Sequence, residues 1–220
     1  MQTVEKLVND ITVFQDDELY TFTSDSILLS QFAVAKKGEV VADFCAGSGV
    51  VGLNFYALNS SLIDSITFFE VQSSLYELCV KSIKENDLAD KCTAINTKLQ
   101  DIENKYFGLF SLILCNPPYM KIGHGEENQD ESKAICKSEV LLSLDELCLS
   151  ISKCLKFGGR TVICHRADRL VEVICALKKY NIEPKRLQFV CAKNKSPYLI
   201  IIEGVKGGKS GIKILENIVN

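Results

Sequence analysis

Two short motifs in this sequence place chemistry-bearing residues directly after apolar runs. The first is Asp43-Phe-Cys-Ala-Gly47-Ser-Gly49-Val-Val-Gly52, which leads into a helix-like stretch. Glycines in such a turn let a ligand approach the backbone. Glu70 ends the next apolar run, and a carboxylate there can accept hydrogen bonds from two ribose hydroxyls. The pattern therefore predicts a nucleoside-bearing cofactor, either a nicotinamide dinucleotide or S-adenosylmethionine.

The second motif, Cys115-Asn116-Pro117-Pro118-Tyr119, favours S-adenosylmethionine. The two prolines remove two backbone donors and fix φ at about −65°. The Asn116 side-chain oxygen and the Pro117 carbonyl can each accept one hydrogen of an amine, while Tyr119 can stack on the ring that carries it. The lone pair of the amine then points at an electrophile, and a methyl group on a sulfonium needs no strong base. We therefore predict that Asn116, Pro117, Pro118 and Tyr119 are catalytic.

Apolar runs and helix-like stretches alternate along the chain, which is typical of an α/β protein. The predicted strands cover residues 40–45, 65–70, 91–96, 107–115, 160–165, 187–192 and 198–203, and one predicted helix ends at Gly158-Gly159. Residues 193–197, between the last two runs, are too few for a crossover helix. We therefore predict a doubly wound α/β fold whose seven-stranded sheet is mostly parallel and carries an antiparallel edge hairpin.

No break in composition indicates a second domain. We expect one domain over residues 1–203, with residues 1–38 as an N-terminal extension packing on the cofactor site. Residues 204–220 are rich in Gly and Lys and should form a basic tail. Residues 120–137 are polar, and we expect them to form a long loop that closes over the substrate.

Charge is distributed unevenly along the chain. The net formal charge of −3 divides into −12 for residues 1–150 and +9 for residues 151–220. A basic C-terminal third on an acidic protein is typical of a nucleic-acid contact surface, although a solvated surface also fits. The candidates for phosphate contact are Lys178, Lys179, Lys185, Arg186, Lys193, Lys195, Lys206 and Lys209.

The composition excludes several classes of protein. Apolar residues make up 47% and charged residues 24% of the 220 residues, the balance of a globular protein. We expect no membrane span, no signal peptide and a cytoplasmic location. The 10 cysteines include no CxxC pair and there are only 2 histidines, so we predict no metal site. The cysteines are interpreted as small apolar side chains in a reducing compartment.

The motifs together resemble the class I S-adenosylmethionine methyltransferases, which have a Rossmann-like fold, and among them the enzymes that modify exocyclic amines. Nearly the whole chain is similar to the bacterial tRNA(Val) adenine-N6-methyltransferase family. The further segments that carry this resemblance are Tyr20-Thr-Phe-Thr-Ser-Asp25-Ser-Ile-Leu-Leu29, Glu139, His165-Arg-Ala-Asp-Arg-Leu170, Glu183-Pro-Lys-Arg-Leu-Gln-Phe-Val190 and Glu203-Gly-x-Lys-Gly-Gly.

This resemblance implies a set of cofactor contacts and a substrate. The implied cofactor-binding residues are Asp25, Asp43, Cys45, Gly47, Gly49, Glu70, Val71, Asp101, Ile102 and Asn116. Asp43, Gly47 and Gly49 would hold the methionine and ribose side, and Asp25 would lie near the methionine end. Glu70 would take the ribose hydroxyls, and Asp101 would meet the amino group of the cofactor adenine, with Ile102 against its ring. The implied partner is tRNA with a flipped target adenine, because a base inside a duplex cannot reach the pocket.

One segment departs from the family pattern. The motifs do not determine the oligomeric state. Relatives often show Arg-His-Glu where this chain has Lys137-Ser138-Glu139. Arginine and lysine differ at bidentate sites, so this departure concerns RNA docking rather than the chemistry. We expect a monomer or a weak dimer.

Other functions share parts of these motifs. A glutamine-N5 protein methyltransferase also uses Asn-Pro-Pro-Tyr but usually carries a helical domain before the cofactor fold. An amine methyltransferase acting on rRNA or DNA has the same chemistry, although a DNA enzyme normally needs a target-recognition domain. A nicotinamide oxidoreductase shares the glycine turn but leaves residues 116–119 without a role.

Overall fold

The computed structural model describes residues 2–19, 23–118 and 142–220. Its strands are β1 (Gln2–Lys6), β2 (Thr12–Asp16), β3 (Glu39–Phe44), β4 (Ile63–Glu70), β5 (Cys92–Asn96), β6 (Phe110–Cys115), β7 (Leu155–Arg166), β8 (Ile182–Cys191), β9 (Pro197–Lys206), β10 (Lys213–Ile214) and β11 (Ile218–Val219). Its helices are α1 (Ser24–Phe32), α2 (Val50–Asn59), α3 (Ser73–Glu85), α4 (Leu144–Cys154) and α5 (Leu170–Lys179).

One large sheet organises the structure. Its central order is β5-β4-β3-β6-β7-β9-β8, and every neighbouring pair from β5 to β7 is parallel. Strand β9 runs antiparallel to both β7 and β8. The predicted mostly parallel α/β fold with an antiparallel hairpin is therefore confirmed. The predicted number of seven strands is wrong, because the sheet has nine strands among the described residues and β10 and β11 lie outside β8. Strand β6 is buried at every position, because helices cover both faces of the sheet.

Helices form one layer on each face of the sheet. The core on one face joins Leu29 of α1 and Phe55 of α2 to Leu114 of β6. The core on the other face joins Leu147 of α4 and Val173 of α5 to residues on the opposite side of the same strands. Alternate residues of each central strand therefore enter different cores.

The structure differs from the sequence predictions at one helix end and at the N-terminus. Helix α4 ends at Cys154 rather than at the glycine pair, because the chain continues directly into β7. Strands β1 and β2 form a separate antiparallel hairpin that packs on α3, where Phe14 N donates to Ser82 Oγ over 3.0 Å. Helix α1, which also lies within residues 1–38, reaches the carboxyl end of β6, where Ser26 contacts Asn116.

The C-terminal residues add to the sheet instead of leaving it. The expected domain boundary after residue 203 falls inside β9. Strands β10 and β11 both pair in parallel with β8, at Lys213 beside Arg186 and at Ile218 beside Val190. Asn220 N donates to the Cys191 carbonyl over 2.9 Å. Because β8 would otherwise end the sheet, these residues protect an exposed strand edge.

A buried ion cluster closes the amino end of the sheet. Arg160 in β7 donates to the Val34 carbonyl over 2.7 Å and forms a short ion pair with Glu39 of β3. Its guanidinium also lies 3.7 Å from Glu203 of β9. All three charged side chains are at least nine-tenths buried, so the charge of Glu39 depends on Arg160 for compensation, whereas Glu203 also lies 3.9 Å from Arg186.

Candidate active site

The carboxyl ends of β3, β4 and β6 bring the predicted site residues to one edge of the sheet, here called the catalytic edge. In the sheet register Phe44 pairs with both Phe69 and Cys115, so the residues that follow these three lie side by side. Ligands of open α/β sheets bind at this edge.

The turn after β3 has an unusual backbone. Cys45, Gly47 and Gly49 all have positive φ, at 58°, 56° and 89°. Ala46 N donates to the Phe69 carbonyl over 3.1 Å, which ties the turn to β4. A Cβ atom built on Gly47 would meet no atom within 4 Å, so the turn presents bare backbone to open space. A ligand can therefore approach it closely.

Gly52 lets α2 approach the sheet, and Asp43 depends on that approach. A Cβ atom at Gly52 would overlap the Phe68 ring. Gly52 N donates to Asp43 Oδ2 over 2.8 Å, while Asp43 Oδ1 is buried with no hydrogen-bond partner among the described residues. Burial raises the pKa of Asp43 to about 8; the Gly52 hydrogen bond opposes this shift and the charge of Glu70 adds to it. Asp43 is therefore mainly protonated at neutral pH.

Glu70 braces the glycine turn. Its Oε2 accepts from Gly47 N and its Oε1 from Gln72 N, each over 2.8 Å. Burial raises the pKa of Glu70, and these backbone donors oppose the shift. Asn96, at the end of β5, donates its Nδ2 to the carbonyls of Glu70 and Val71 over 2.8 and 3.0 Å. Asn96 was not predicted from the sequence, which contains no motif around it.

Asn116 follows β6 at the same edge. Its Nδ2 donates to Ser26 Oγ in α1 over 3.0 Å, and its Oδ1 accepts from the Cys164 thiol in β7 over 2.9 Å. Pro117 and Pro118 come next. The predicted catalytic Tyr119, the Lys137-Ser138-Glu139 segment and the predicted loop at 120–137 lie outside the described residues.

The remaining predicted cofactor residues surround this edge. Asp25 lies in the first turn of α1, where burial raises the pKa of its carboxyl against hydrogen bonds from Thr23 and Ser24. Asp101 is exposed at the end of a short turn that follows β5, and the next residue, Ile102, is buried. The structure thus brings the described members of the predicted site to one edge.

His165 is a buried group beside this edge. It is 2% exposed, and its Nδ1 accepts from Arg166 N over 2.9 Å. Burial lowers the pKa of His165 to about 4, and the nearby charge of Arg169 adds to the shift. This imidazole is therefore neutral at physiological pH.

Most of the predicted phosphate contacts have partners within the fold. Arg186 donates to the Phe32 carbonyl over 2.7 Å, and Lys206 donates to two backbone carbonyls. Lys178 pairs with Glu183 and Lys179 with Asp145, at the end of α5 that lies away from the catalytic edge. Together with Lys185, which donates to the Lys209 carbonyl over 3.0 Å, these four candidates therefore already have partners within the fold.

Two lysines remain well placed for a polyanion. Lys193 and Lys195 are exposed in the turn between β8 and β9, which lies at the catalytic edge because β8 runs parallel to β7. Neither has an ion-pair partner among residues 2–19, 23–118 and 142–220. The position of a lysine relative to this edge depends on strand direction, which charge counting cannot provide.

Seven of the nine described cysteines are buried, as expected for small apolar side chains, and Cys175 is exposed.

No helix in the described ranges is both long and apolar enough to cross a membrane.

Comparison with known families decides the class of the protein. Residues 5–182 match the family described as Methyltransferase small domain. This chain belongs to that family. The predicted membership of a methyltransferase family is thereby confirmed.

Curated relatives of this methyltransferase-family chain carry a more specific name. A Shewanella putrefaciens protein named tRNA1(Val) (adenine(37)-N6)-methyltransferase is 27% identical over 139 residues, which are 62% of this chain. The chain spans 56% of the length of that relative. A protein of the same name from Shewanella frigidimarina is 26% identical over 89% of this chain and 74% of its own length.

Solved protein structures share the fold. A predicted O-methyltransferase from Agrobacterium tumefaciens superimposes with a TM-score of 0.68 at 14% identity, covering 88% of this chain and 86% of its own. TYW2 from P. horikoshii, solved in complex with MeSAdo, gives a TM-score of 0.65 at 16% identity, covering 94% of this chain and 72% of its own. At these identities the comparison concerns the fold alone.

Proposed function

We propose that this chain transfers a methyl group from S-adenosyl-L-methionine to the exocyclic N6 amine of an adenine in tRNA, next to the anticodon. The observation that carries the proposal is the position of the Asn116 amide, followed by two prolines, beside the turn braced by Glu70. The names of the Shewanella relatives support adenine in tRNA as the substrate.

The residues at the catalytic edge fit the cofactor. Gly47 faces open space where a ligand can lie on the backbone, and the Asp43 Oδ1 atom is buried without a described partner. Each Glu70 oxygen already accepts one backbone N–H, but a carboxylate oxygen has two lone pairs and can also accept from a ribose hydroxyl. Asp25, Cys45, Gly49, Val71, Asp101, Ile102 and Asn116 complete the proposed cofactor site.

The chemistry requires an oriented amine rather than a strong base. S-adenosylmethionine supplies a methyl group on a sulfonium, and the sulfur leaves as a neutral thioether. Asn116 Oδ1 and the Pro117 carbonyl accept the two amine hydrogens, which directs the nitrogen lone pair toward the methyl carbon. After the new N–C bond forms, the excess proton passes from the amine to water. Tyr119 stacks on the target ring.

The tRNA must offer an unpaired adenine to the site while its phosphates contact the protein surface. A loop adenine can leave its stack at low cost and enter the site. Lys193 and Lys195 lie across β7 and β9 from Asn116, about 15 Å away laterally at the usual strand spacing. We therefore place the RNA backbone over the turn between β8 and β9, where these two charges attract it.

Transfer of a labelled methyl group tests this function and its alternatives. The protein is incubated with labelled S-adenosylmethionine and, separately, with total tRNA, rRNA, duplex DNA and a release-factor-like protein. We expect label in tRNA and its recovery as N6-methyladenosine after digestion. Label on a glutamine of the protein substrate, or in DNA or rRNA alone, would assign another member of this chemical class.

A further inference from the structure

The side-chain amide of Asn116 is held from two sides by residues outside the predicted site. Its nitrogen donates to Ser26 Oγ over 3.0 Å, and its oxygen accepts from Cys164 Sγ over 2.9 Å. Ser26 is 3% exposed in the first turn of α1, and Cys164 is fully buried near the carboxyl end of β7. A helix and a strand far apart in the chain therefore fix one amide.

The sheet register explains why Cys164 reaches Asn116. Cys115 pairs with Ile163, so Asn116 and Cys164 occupy the next position along the two parallel strands. Side chains alternate between faces, and Cys164 belongs to the core on the side of α1. Asn116 points to that side as well, where the first turn of α1 presents Ser26.

The orientation of this amide matters for the proposed chemistry. A carboxamide has an acceptor oxygen at one end and a donor nitrogen at the other, and rotation about χ2 is broad and roughly two-fold. A half turn would present a donor to the target amine in place of an acceptor. The Cys164 thiol donates to the amide oxygen and so opposes that rotation, while the Ser26 hydroxyl, which can donate or accept, holds the other end of the amide in place.

We propose that Ser26 and Cys164 are positioning residues for methyl transfer, which clamp the Asn116 amide so that its oxygen faces the target amine. The clamp affects turnover only if Asn116 holds the amine, so this role rests on the proposed function. Neither residue need touch the substrate or the cofactor. Their effect should therefore appear in kcat and leave cofactor affinity unchanged.

Turnover of substituted proteins tests the clamp. Cys164→Ala and Ser26→Ala should each lower kcat by about 3- to 10-fold, the range expected for one lost hydrogen bond. The affinity for S-adenosylhomocysteine, measured by calorimetry, should stay within about twofold of wild type. Cys164→Ser keeps a donor and should recover much of the loss. Cys148→Ala removes a buried thiol of α4 on the other face of the sheet and should leave kcat unchanged.

Two further measurements separate positioning from a general loss of packing. In an Asn116→Ala background, Cys164→Ala should cause no additional loss of kcat, because the amide it orients is gone. In the wild-type background, the NMR order parameter of the Asn116 side-chain amide should fall in both Cys164→Ala and Ser26→Ala. The Asn116 resonance is identified by its disappearance in Asn116→Asp.

The outcomes distinguish the clamp from the function on which it rests. If the wild type methylates tRNA while Cys164→Ala and Ser26→Ala keep full kcat and a rigid amide, the clamp is overturned and the proposed function stands. If the wild type transfers no methyl group to any nucleic acid, the proposed function fails and the positioning role fails with it.

Discussion

Gly47 donates its backbone N–H to Glu70 Oε2 over 2.8 Å, from the turn after β3 to the end of β4. One carboxylate therefore shapes the glycine turn, and in the proposed function the same carboxylate also binds the cofactor ribose. The two roles are compatible, because the hydrogen bond uses only one lone pair of that oxygen.

Removing the Glu70 carboxylate should weaken the cofactor site and the fold together. Glu70→Ala leaves Gly47 N and Gln72 N without acceptors, so we expect a loss of about 1–3 kcal/mol in the free energy of unfolding. Affinity for S-adenosylhomocysteine should fall by about 10- to 100-fold. Urea unfolding and calorimetric titration measure the two effects. Glu70→Gln keeps one acceptor oxygen, so its losses of stability and affinity should lie between those of wild type and Glu70→Ala. Wild-type affinity in Glu70→Ala would contradict the assignment of Glu70 to the cofactor site.

Asp43 should make stability depend on pH. Its folded pKa of about 8 lies above the ordinary value of 3.8, so the folded state keeps a proton that the unfolded chain releases. Stability should therefore fall as the pH rises from about 4 to about 8. His165 acts in the opposite direction between about 4 and 6.5, because its folded pKa is lowered, and it contributes no slope above that window.

The Asp43→Asn variant isolates this effect. The amide oxygen can still accept from Gly52, but the group no longer titrates. Unfolding in urea from pH 6.5 to 8 should show a steeper loss of stability for the wild type than for the variant. Identical slopes would mean that Asp43 is ionised in the folded protein throughout this range.

The ion cluster at the amino end of the sheet should be necessary for stability. Arg160→Ala leaves the buried carboxylate of Glu39 without its cationic partner and leaves Glu203 with Arg186 alone. We expect a loss of about 3–5 kcal/mol in the free energy of unfolding. The control is Arg166→Ala, because Arg166 pairs with Asp168 on an exposed surface and should cost less than about 1 kcal/mol. Equal losses of unfolding free energy in Arg160→Ala and Arg166→Ala would show that burial of the ion cluster adds nothing to its contribution to stability.

RNA binding should depend on where lysines lie and not on net charge alone. Reversing Lys193 and Lys195 to Glu should weaken tRNA binding and lower the slope of log affinity against log salt by about 1–2. Reversing Lys36 and Lys37 changes the net charge equally at exposed positions before β3, on the opposite edge. That control pair of substitutions should weaken tRNA binding much less. Filter binding across a salt series compares them, and equal losses would remove the localised docking surface.

The central strands and the two motifs could be predicted from sequence because burial on both faces produces continuous apolar runs, as in β6. The N-terminal hairpin could not, since β1 is polar and mostly exposed. Strands β10 and β11 have two residues each, too few for any periodicity. Ser26 lies in a segment that carries the resemblance, but its contact with Asn116, like that of Cys164, depends on strand register and on where α1 packs and could not be predicted.

Single-turnover methyl transfer by wild type and Asn116→Ala, with cofactor affinity measured in parallel, tests directly whether Asn116 orients the target amine. We expect the wild type to form N6-methyladenosine in tRNA and Asn116→Ala to react about 10²–10³-fold more slowly, by analogy with loss of one preorganised polar contact. Affinity for S-adenosylhomocysteine should fall much less than turnover. Near-normal turnover by Asn116→Ala with saturating tRNA would mean that Asn116 does not orient the amine. Binding of NAD without binding of S-adenosylmethionine would exclude the proposed methyl transfer altogether.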